Sequence, residues 1–397
     1  MKMFNDKALY AYKFVGQCLP IYAFYAILFL DRGNTVSDVA VLIALWSVFN
    51  ILFDIPAGIL ADKWNRRNML AIAAVLQGVC YVVWFFSHSF FMFAFGFFFW
   101  GVAGAFTSGT EEGLIYDNLK KDGREGSFTK VYGRAQFFAT VGVLVGIGSA
   151  GLISIFISIE AIALISAIIC FINVIFALQI RECNLYAQSK DEASLGAVET
   201  LKKSVAFIKG SGVALAVILF LVLFGIGAYM DEFDPMVAND WDVSVLWVSG
   251  IMFMRFAFVA VGDILAPIVE KKIKSVRQIF LLNALACILL LVFTFIWNWH
   301  AILIFGIAFM TFAITQILLV NTLQNAITEE GRATVMSFFG VGQNIAMICL
   351  SLIFAGLARV FTLQQVYSLI AIYGIVGGLV FALLFVKSRS KIKYKRS

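Results

Sequence analysis

Charge is scarce along these 397 residues: Asp, Glu, Lys and Arg make up 14% of the chain against 62% hydrophobic residues, and the mean hydropathy is +0.93. A soluble domain cannot hide that much apolar surface in its core, so lipid must be the solvent for most of it. Histidine is scarcer still. His88 and His300 are the only two, both in short links between apolar runs, which argues against a His-based metal centre and a buried His proton relay. The six cysteines are too dispersed for a disulfide framework or a thiolate metal site: Cys18, Cys80, Cys170, Cys287 and Cys349 lie inside apolar runs and Cys183 in a polar loop. The chain has no Gly-x-x-x-x-Gly-Lys-Ser/Thr loop for ATP use. Nor does it show the nucleophile–base pair, metal cluster or signalling domain that a membrane enzyme or sensor would need. These absences imply no metal, no cofactor, no nucleic-acid partner and no enzymatic activity.

What is present is a series of apolar runs. A bilayer core of about 30 Å takes roughly 20 helical residues per crossing. Runs near 11–30, 37–60, 68–87, 90–118, 131–156, 159–179, 211–231, 243–268, 279–297, 301–323, 333–357 and 363–386 therefore predict an all-α membrane protein of twelve transmembrane helices. No room remains for a sizeable soluble domain. The polar residues 1–10 run into the first span without a small-residue cleavage site, so that span reads as a transmembrane helix and not as a removed signal peptide. Of the 30 Lys and Arg, only Arg32 and Arg359 fall on the other side from the rest, and Arg134 and Arg255 fall within spans; Lys13 is counted with the leading segment. The positive-inside rule then places both termini in the cytoplasm of a multi-pass plasma (inner) membrane protein. We expect it to act as a monomer in the lipid bilayer.

Two echoes divide the chain. Asp54-Ile-Pro-Ala-Gly-Ile-Leu-Ala-Asp-Lys aligns with Asp263-Ile-Leu-Ala-Pro-Ile-Val-Glu-Lys-Lys, and Tyr132-Gly-Arg-Ala-Gln with Phe339-Gly-Val-Gly-Gln, at nearly one offset. The expected organisation is a six-helix bundle over 1–180, a solvated cytoplasmic linker over 181–210 that includes an amphipathic surface helix, and a second, pseudo-symmetric bundle over 211–397. The tail Lys387–Ser397 reads as a topology-setting basic end.

Between the second and third spans stands Gly58-Ile-Leu-Ala-Asp62-Lys63-Trp-Asn-Arg66-Arg67. A glycine here permits close helix approach, Asp62 can bond helix-end amides or a base, and the arginine pair can meet carboxylates across the loop. The stretch closely resembles the signature Gly-x-Leu-Ala-Asp-Arg-x-Gly-Arg-Arg of the major facilitator superfamily, with Lys63 for Arg and Asn65 for the second Gly. The resemblance covers the whole chain. It implies the superfamily's twelve-helix fold and a secondary transporter that works by alternating access, with Gly58, Asp62, Lys63, Arg66 and Arg67 bracing a cytoplasmic gate. The fifth span carries Gly133, Gly142, Gly146 and Gly151, similar to the superfamily's antiporter motif except at Ile147 and Ala150. The same spacing is ordinary membrane-helix packing, and both readings stand. Asp54-x-Pro56-x-Gly58 and Ser108-Gly-Thr-Glu111-Glu112-Gly113-Leu-Ile-Tyr116-Asp117 resemble a bacterial subgroup, with Asp54 for its Glu and Gly113 for its Ala. The Arg that many drug/proton antiporters carry in the fourth span is absent, and Trp100 stands in its place.

Charges inside spans normally face a bundle interior or a wet cavity. Asp54, Glu112, Arg134 and Asp263 are candidates both for seam salt bridges and for proton or substrate groups. Arg134 could meet Glu112 or Asp117. Arg255 has no carboxylate in its own turn and needs one from another helix or an anionic substrate. Asp231, Glu232 and Asp234, followed by Asp240 and Asp242, read as a solvated acidic rim or as a cluster that raises local cation or proton concentration at the outer mouth, with Asp231 a candidate proton or substrate group. In the superfamily the first, fourth, seventh and tenth helices line the cavity, which nominates Gln17, Tyr22, Trp100, Tyr229 and Gln316 as wall residues beside their bland reading as packing. The expectation is export of a small-molecule substrate in exchange for protons, with proton-linked uptake as the alternative. A passive channel would not need the paired gate motifs.

Overall fold

The computed structural model describes residues 4–183, 212–326 and 332–385. The side chains of Asp62 and Lys63, the predicted linker beyond Cys183 and the basic tail lie outside the described residues. The helices run α1 (Asp6–Gln17), α2 (Tyr25–Asp31), α3 (Val36–Lys63), α4 (Arg66–Phe86), α5 (Phe90–Thr107), α6 (Thr110–Lys121), α7 (Phe128–Ile153) and α8 (Ile159–Gln179). They continue as α9 (Gly212–Phe224), α10 (Asp234–Asp240), α11 (Val245–Glu270), α12 (Val276–Ile296), α13 (Ile302–Ala326), α14 (Arg332–Leu357) and α15 (Leu363–Leu384). No strand occurs among the described residues.

Polar caps start several of these helices. Thr35 and Asp38 form a reciprocal capping box at α3, Thr362 and Gln365 another at α15, and Asn65, Ser89 and Ser158 accept from amides of the first turns of α4, α5 and α8. Each satisfies amides that a helix end would leave unpaired, a requirement that tightens where water is scarce. Among the described residues, 11 helical stretches are long and apolar enough to cross a membrane, with Ala214–Phe224 a shorter apolar helix. Phe91, Phe156 and Phe295 stand at least 80% exposed on their surfaces. Such faces are stable only against lipid.

The chain divides into two compact units, Met1–Lys190 with Val243–Phe253, and Asp191–Asp242 with Met254–Ser397. Phe4, Leu9, Leu70, Leu114, Val131 and Ile180 close one end of the first unit. Deeper in, Tyr25, Phe29, Trp84, Phe97 and Trp100 form an aromatic cluster. The second unit is built on Val217, Phe220, Phe280, Leu318 and Phe339.

Three crossings are broken. The first bends through a 3-10 turn at Pro20–Ala23, the fourth breaks at Gly109 with φ +67°, and the seventh stops at Phe224, makes a 3-10 turn at Ile226–Ala228 and resumes at Asp234. Proline removes an amide donor, and glycine takes the left-handed conformation without strain. Broken backbone at membrane depth is tolerated where protein or a cavity surrounds it. The seventh crossing therefore extends past the expected 231 to Asp240, with Asp231 and Glu232 half-buried and Asp234 buried. Asp234 is 1% exposed, so the rim reading fails for it.

The glycines of α7 differ in surroundings. A Cβ on Gly142 would overlap the Phe14 carbonyl oxygen, and one on Gly146 would come 2.6 Å from the Leu19 amide nitrogen, both on the broken first crossing. Gly151 faces Leu246 and Ser249 of the 243–253 segment, while Gly133 faces open space. We expect Gly142→Ala to destabilise by about 1–3 kcal/mol through overpacking, and Gly133→Ala to leave stability within roughly 0.5 kcal/mol. Thermal unfolding of the purified variants checks this; equal losses would contradict the packing assignment.

Candidate functional site

Helices α1, α4, α5, α6, α7 and α8 surround a pocket of about 400 Å³ in the first unit. At the Gly109 break it is lined by Thr107, Ser108 and Gly109 together with Glu111 and Glu112 of the first turn of α6. Lys13 of α1 crosses to Glu111, with Nζ 3.0 Å from Oε2 and both side chains largely buried. Glu112 turns the other way and accepts the Tyr132 hydroxyl at 2.9 Å. Adjacent residues on a helix point about 100° apart, which is why the two glutamates take separate partners. On the opposite wall Tyr22 stacks on Trp100, centroids 5.7 Å apart. Gln77 donates to the Tyr22 and Tyr81 hydroxyls at 3.0 and 3.1 Å, and Gln17 and Gln136 add amides.

The second unit holds a pocket of about 250 Å³ lined by Asp231, Arg255, Asp263, Asn283 and Gln316 among Phe256, Phe309 and Phe312. Arg255, 3% exposed, finds its carboxylate on α10: Nε lies 2.8 Å from Oδ2 of Asp234. The contact is ionic and bent away from a linear hydrogen bond. The Tyr367 hydroxyl donates to Oδ1 of Asp234 at 3.1 Å. The guanidinium also lies over the rings of Phe256 and Phe309, 4.6 and 4.2 Å from their centroids. Rings and carboxylate together compensate a cation deep in an apolar bundle.

A third polar cluster caps the first unit where α3 turns into α4. Arg66 reaches Asp117 at 2.8 Å, and Glu182 accepts the backbone amides of Arg66 and Arg67 at 3.2 and 2.7 Å. Gly113 makes room for this: a Cβ there would sit 2.7 Å from the Arg66 guanidinium. Arg181 pairs with Asp122 at 2.9 Å, and Arg124 with Asp6 at 2.9 Å. Burial raises the Asp122 carboxyl, but the Phe4 amide and Arg181 outweigh it and hold it below the usual carboxylate range. The clamp is therefore at full strength above that range and weakens only as pH falls through the lowered value.

Gln17, Tyr22, Trp100 and Glu112 thus meet in one pocket, and Asp231, Arg255, Asp263 and Gln316 in the other. Other nominated residues are placed differently. Arg134 is exposed and acts electrostatically on Tyr10; Asp117 and Glu112 are already taken by Arg66 and Tyr132. Tyr229 donates to the Leu221 carbonyl at 3.2 Å and lines an apolar groove with Cys349 and Tyr373. Asp54 is half-buried and lines no part of the first-unit pocket, so it and its repeat counterpart Asp263 are not equivalent. A Cβ on Gly58 would meet open space, and the Arg67 guanidinium reaches the Leu178 carbonyl at 3.5 Å. Lys13, Glu111, Tyr132, Asp234 and Tyr367 went unnominated. Lys13 stands one helical turn before Gln17 and shares its face, the one local signal that could have found it.

Cutting one member of a buried ion pair strands the other. Arg255→Met or Asp234→Leu alone should destabilise by about 3–5 kcal/mol, and the double variant should recover most of the loss. Thermal unfolding in detergent is the measurement, and additive losses would show that the two do not act as a pair.

A family model described as Major Facilitator Superfamily matches residues 14–348. A relative from Buchnera aphidicola subsp. Acyrthosiphon pisum (strain APS), named an uncharacterized transporter, is 24% identical over 335 residues, 82% of this chain and 81% of that protein. Among solved structures, a mutant of the nucleoside transporter NupG superposes with a TM-score of 0.82 at 14% identity, over 96% of this chain and 99% of that one. A D-xylose-proton symporter superposes with a TM-score of 0.70 at 14% identity, over 95% and 94%.

Proposed function

We propose that this chain, which belongs to the Major Facilitator Superfamily, exports a small organic solute in exchange for protons by alternating access. It is a secondary transporter of that family's type, a multi-pass membrane protein and not an enzyme. The observation that carries the finer reading is the first-unit pocket, where two carboxylates on adjacent residues, Glu111 and Glu112, share one space with a single base, Lys13. An excess of negative charge in a pocket attracts cations, the proton among them, and binding one changes the pocket's affinity for cargo, which is the linkage a coupled transporter needs.

The direction rests on α7. Its glycines resemble an antiporter motif, and Gly142 and Gly146 place bare backbone against the broken first crossing. A seam without side chains lets two helices slide with few steric barriers. The Arg66–Asp117 and Arg181–Asp122 pairs, on the side we assign to the cytoplasm from the positive loops, brace the end of the unit. Asp62 and Lys63 complete that gate in this reading. Proton-linked uptake is the other direction to test, since a proton symporter shares the fold.

Inside-out vesicles with an imposed acid interior and a pH-sensitive dye separate the two. An accepted solute, found by screening a broad panel at two pH values, should discharge the gradient as it enters, and Glu112→Gln should weaken that discharge. Solute entry that deepens the acid interior would establish uptake. A gradient indifferent to every transported solute would remove the proton from the account.

A further inference from the structure

The charges around the first-unit pocket do not balance, and the imbalance says what kind of cargo fits. Glu111 and Glu112 bring two negative charges and Lys13 one positive, and among the described residues no other Lys, Arg or His lines the space. Lys13 is committed to Glu111 through Oε2. Glu112 is exposed to the pocket side of α6 with only the neutral Tyr132 hydroxyl as its partner, which polarises the carboxylate without cancelling its charge. Two buried acceptors also lack a donor: Oε1 of Glu111 and Oδ1 of Asn173, on residues 7% and 3% exposed that both line the pocket. A buried acceptor without a partner favours any ligand that brings an N–H group to it. Opposite stands the Tyr22–Trp100 stack, whose ring faces attract both a flat aromatic body and a cation.

We propose that the first-unit pocket selects an organic cation: a flat or aromatic body bearing a positively charged N–H donor group such as an amidinium or ammonium. This deepens the transport reading above and rests on it for the cargo being transported, but the binding preference stands on the pocket alone. The ring faces hold the body, Glu112 supplies the unmatched charge, and the unpartnered acceptors orient the N–H groups. A neutral sugar-like solute would leave the carboxylate uncompensated. An anion would add to the excess.

Three probes of one shape and three charges test the assignment: benzamidinium, benzamide and benzoate, each titrated into the purified full-length protein while Trp fluorescence and thermal unfolding are followed. Benzamidinium should bind about tenfold or more tightly than benzamide, with benzoate weakest. Glu112→Gln should erase the preference. Tyr132→Phe, which removes the hydroxyl and keeps the charge, should retain it, so that a merely structural role for this corner predicts a different result. Equal binding of benzamide, a preference for benzoate, or no binding of any probe at about millimolar concentration overturns the proposal. A protein that prefers benzamidinium yet leaves vesicle gradients untouched fails the transport reading alone.

Discussion

A charge in an apolar medium must be neutralised or made accessible to water, and most of this molecule's polar architecture follows from that constraint. Arg255 could not stand at its depth without Asp234, and Asp234 in turn is reachable only because the seventh crossing breaks at Gly225 and resumes at Asp234. In the first unit, Lys13 and Glu111 meet for the same reason at the break of the fourth crossing. Breaks and buried charges therefore belong together. An unwound turn frees backbone groups and changes the direction of the chain, and the polar side chains beside it need both.

The two units meet the constraint differently. The second surrounds its arginine with a carboxylate, a tyrosine hydroxyl behind that carboxylate, and two aromatic rings. The first pairs Lys13 with Glu111 and leaves Glu112 on the Tyr132 hydroxyl, beside the Tyr22–Trp100 stack and the break at Gly109. The duplication visible as Asp54 and Asp263 is thus a duplication of backbone more than of chemistry, since only Asp263 lines its unit's pocket.

The crossings were legible in the sequence because hydropathy reports the solvent each segment needs, residue by residue. The family was legible because Gly58 to Arg67 is a contiguous string. Arg255's need for a distant carboxylate could be argued from its own turn, but the identity of that partner could not. The apolar run near 211–231 gives no sign that the crossing continues after a break, so Asp234 read as a solvated rim. Lys13 was counted with the leading positive residues for a similar reason: a lysine near the start of an apolar run looks the same whether it meets lipid headgroups or a glutamate 98 positions later. Pairings of that range are decided by packing, such as the contact of Gly142 and Gly146 with the first crossing, and not by any local period. Arg134 shows the converse, a charge whose sequence position invites Glu112 or Asp117 and whose partners are taken by Tyr132 on its own helix and by Arg66 of α4.

What the first unit does with its cargo turns on the negative charge of Glu112. Replacing that residue by Asp keeps the charge and by Gln removes it, so calorimetric titration of the two purified variants with benzamidinium reads the charge most directly. Glu112→Asp should bind within a fewfold of the parent protein, while Glu112→Gln should lose about tenfold or more. Equal binding by the two variants would contradict this role for Glu112.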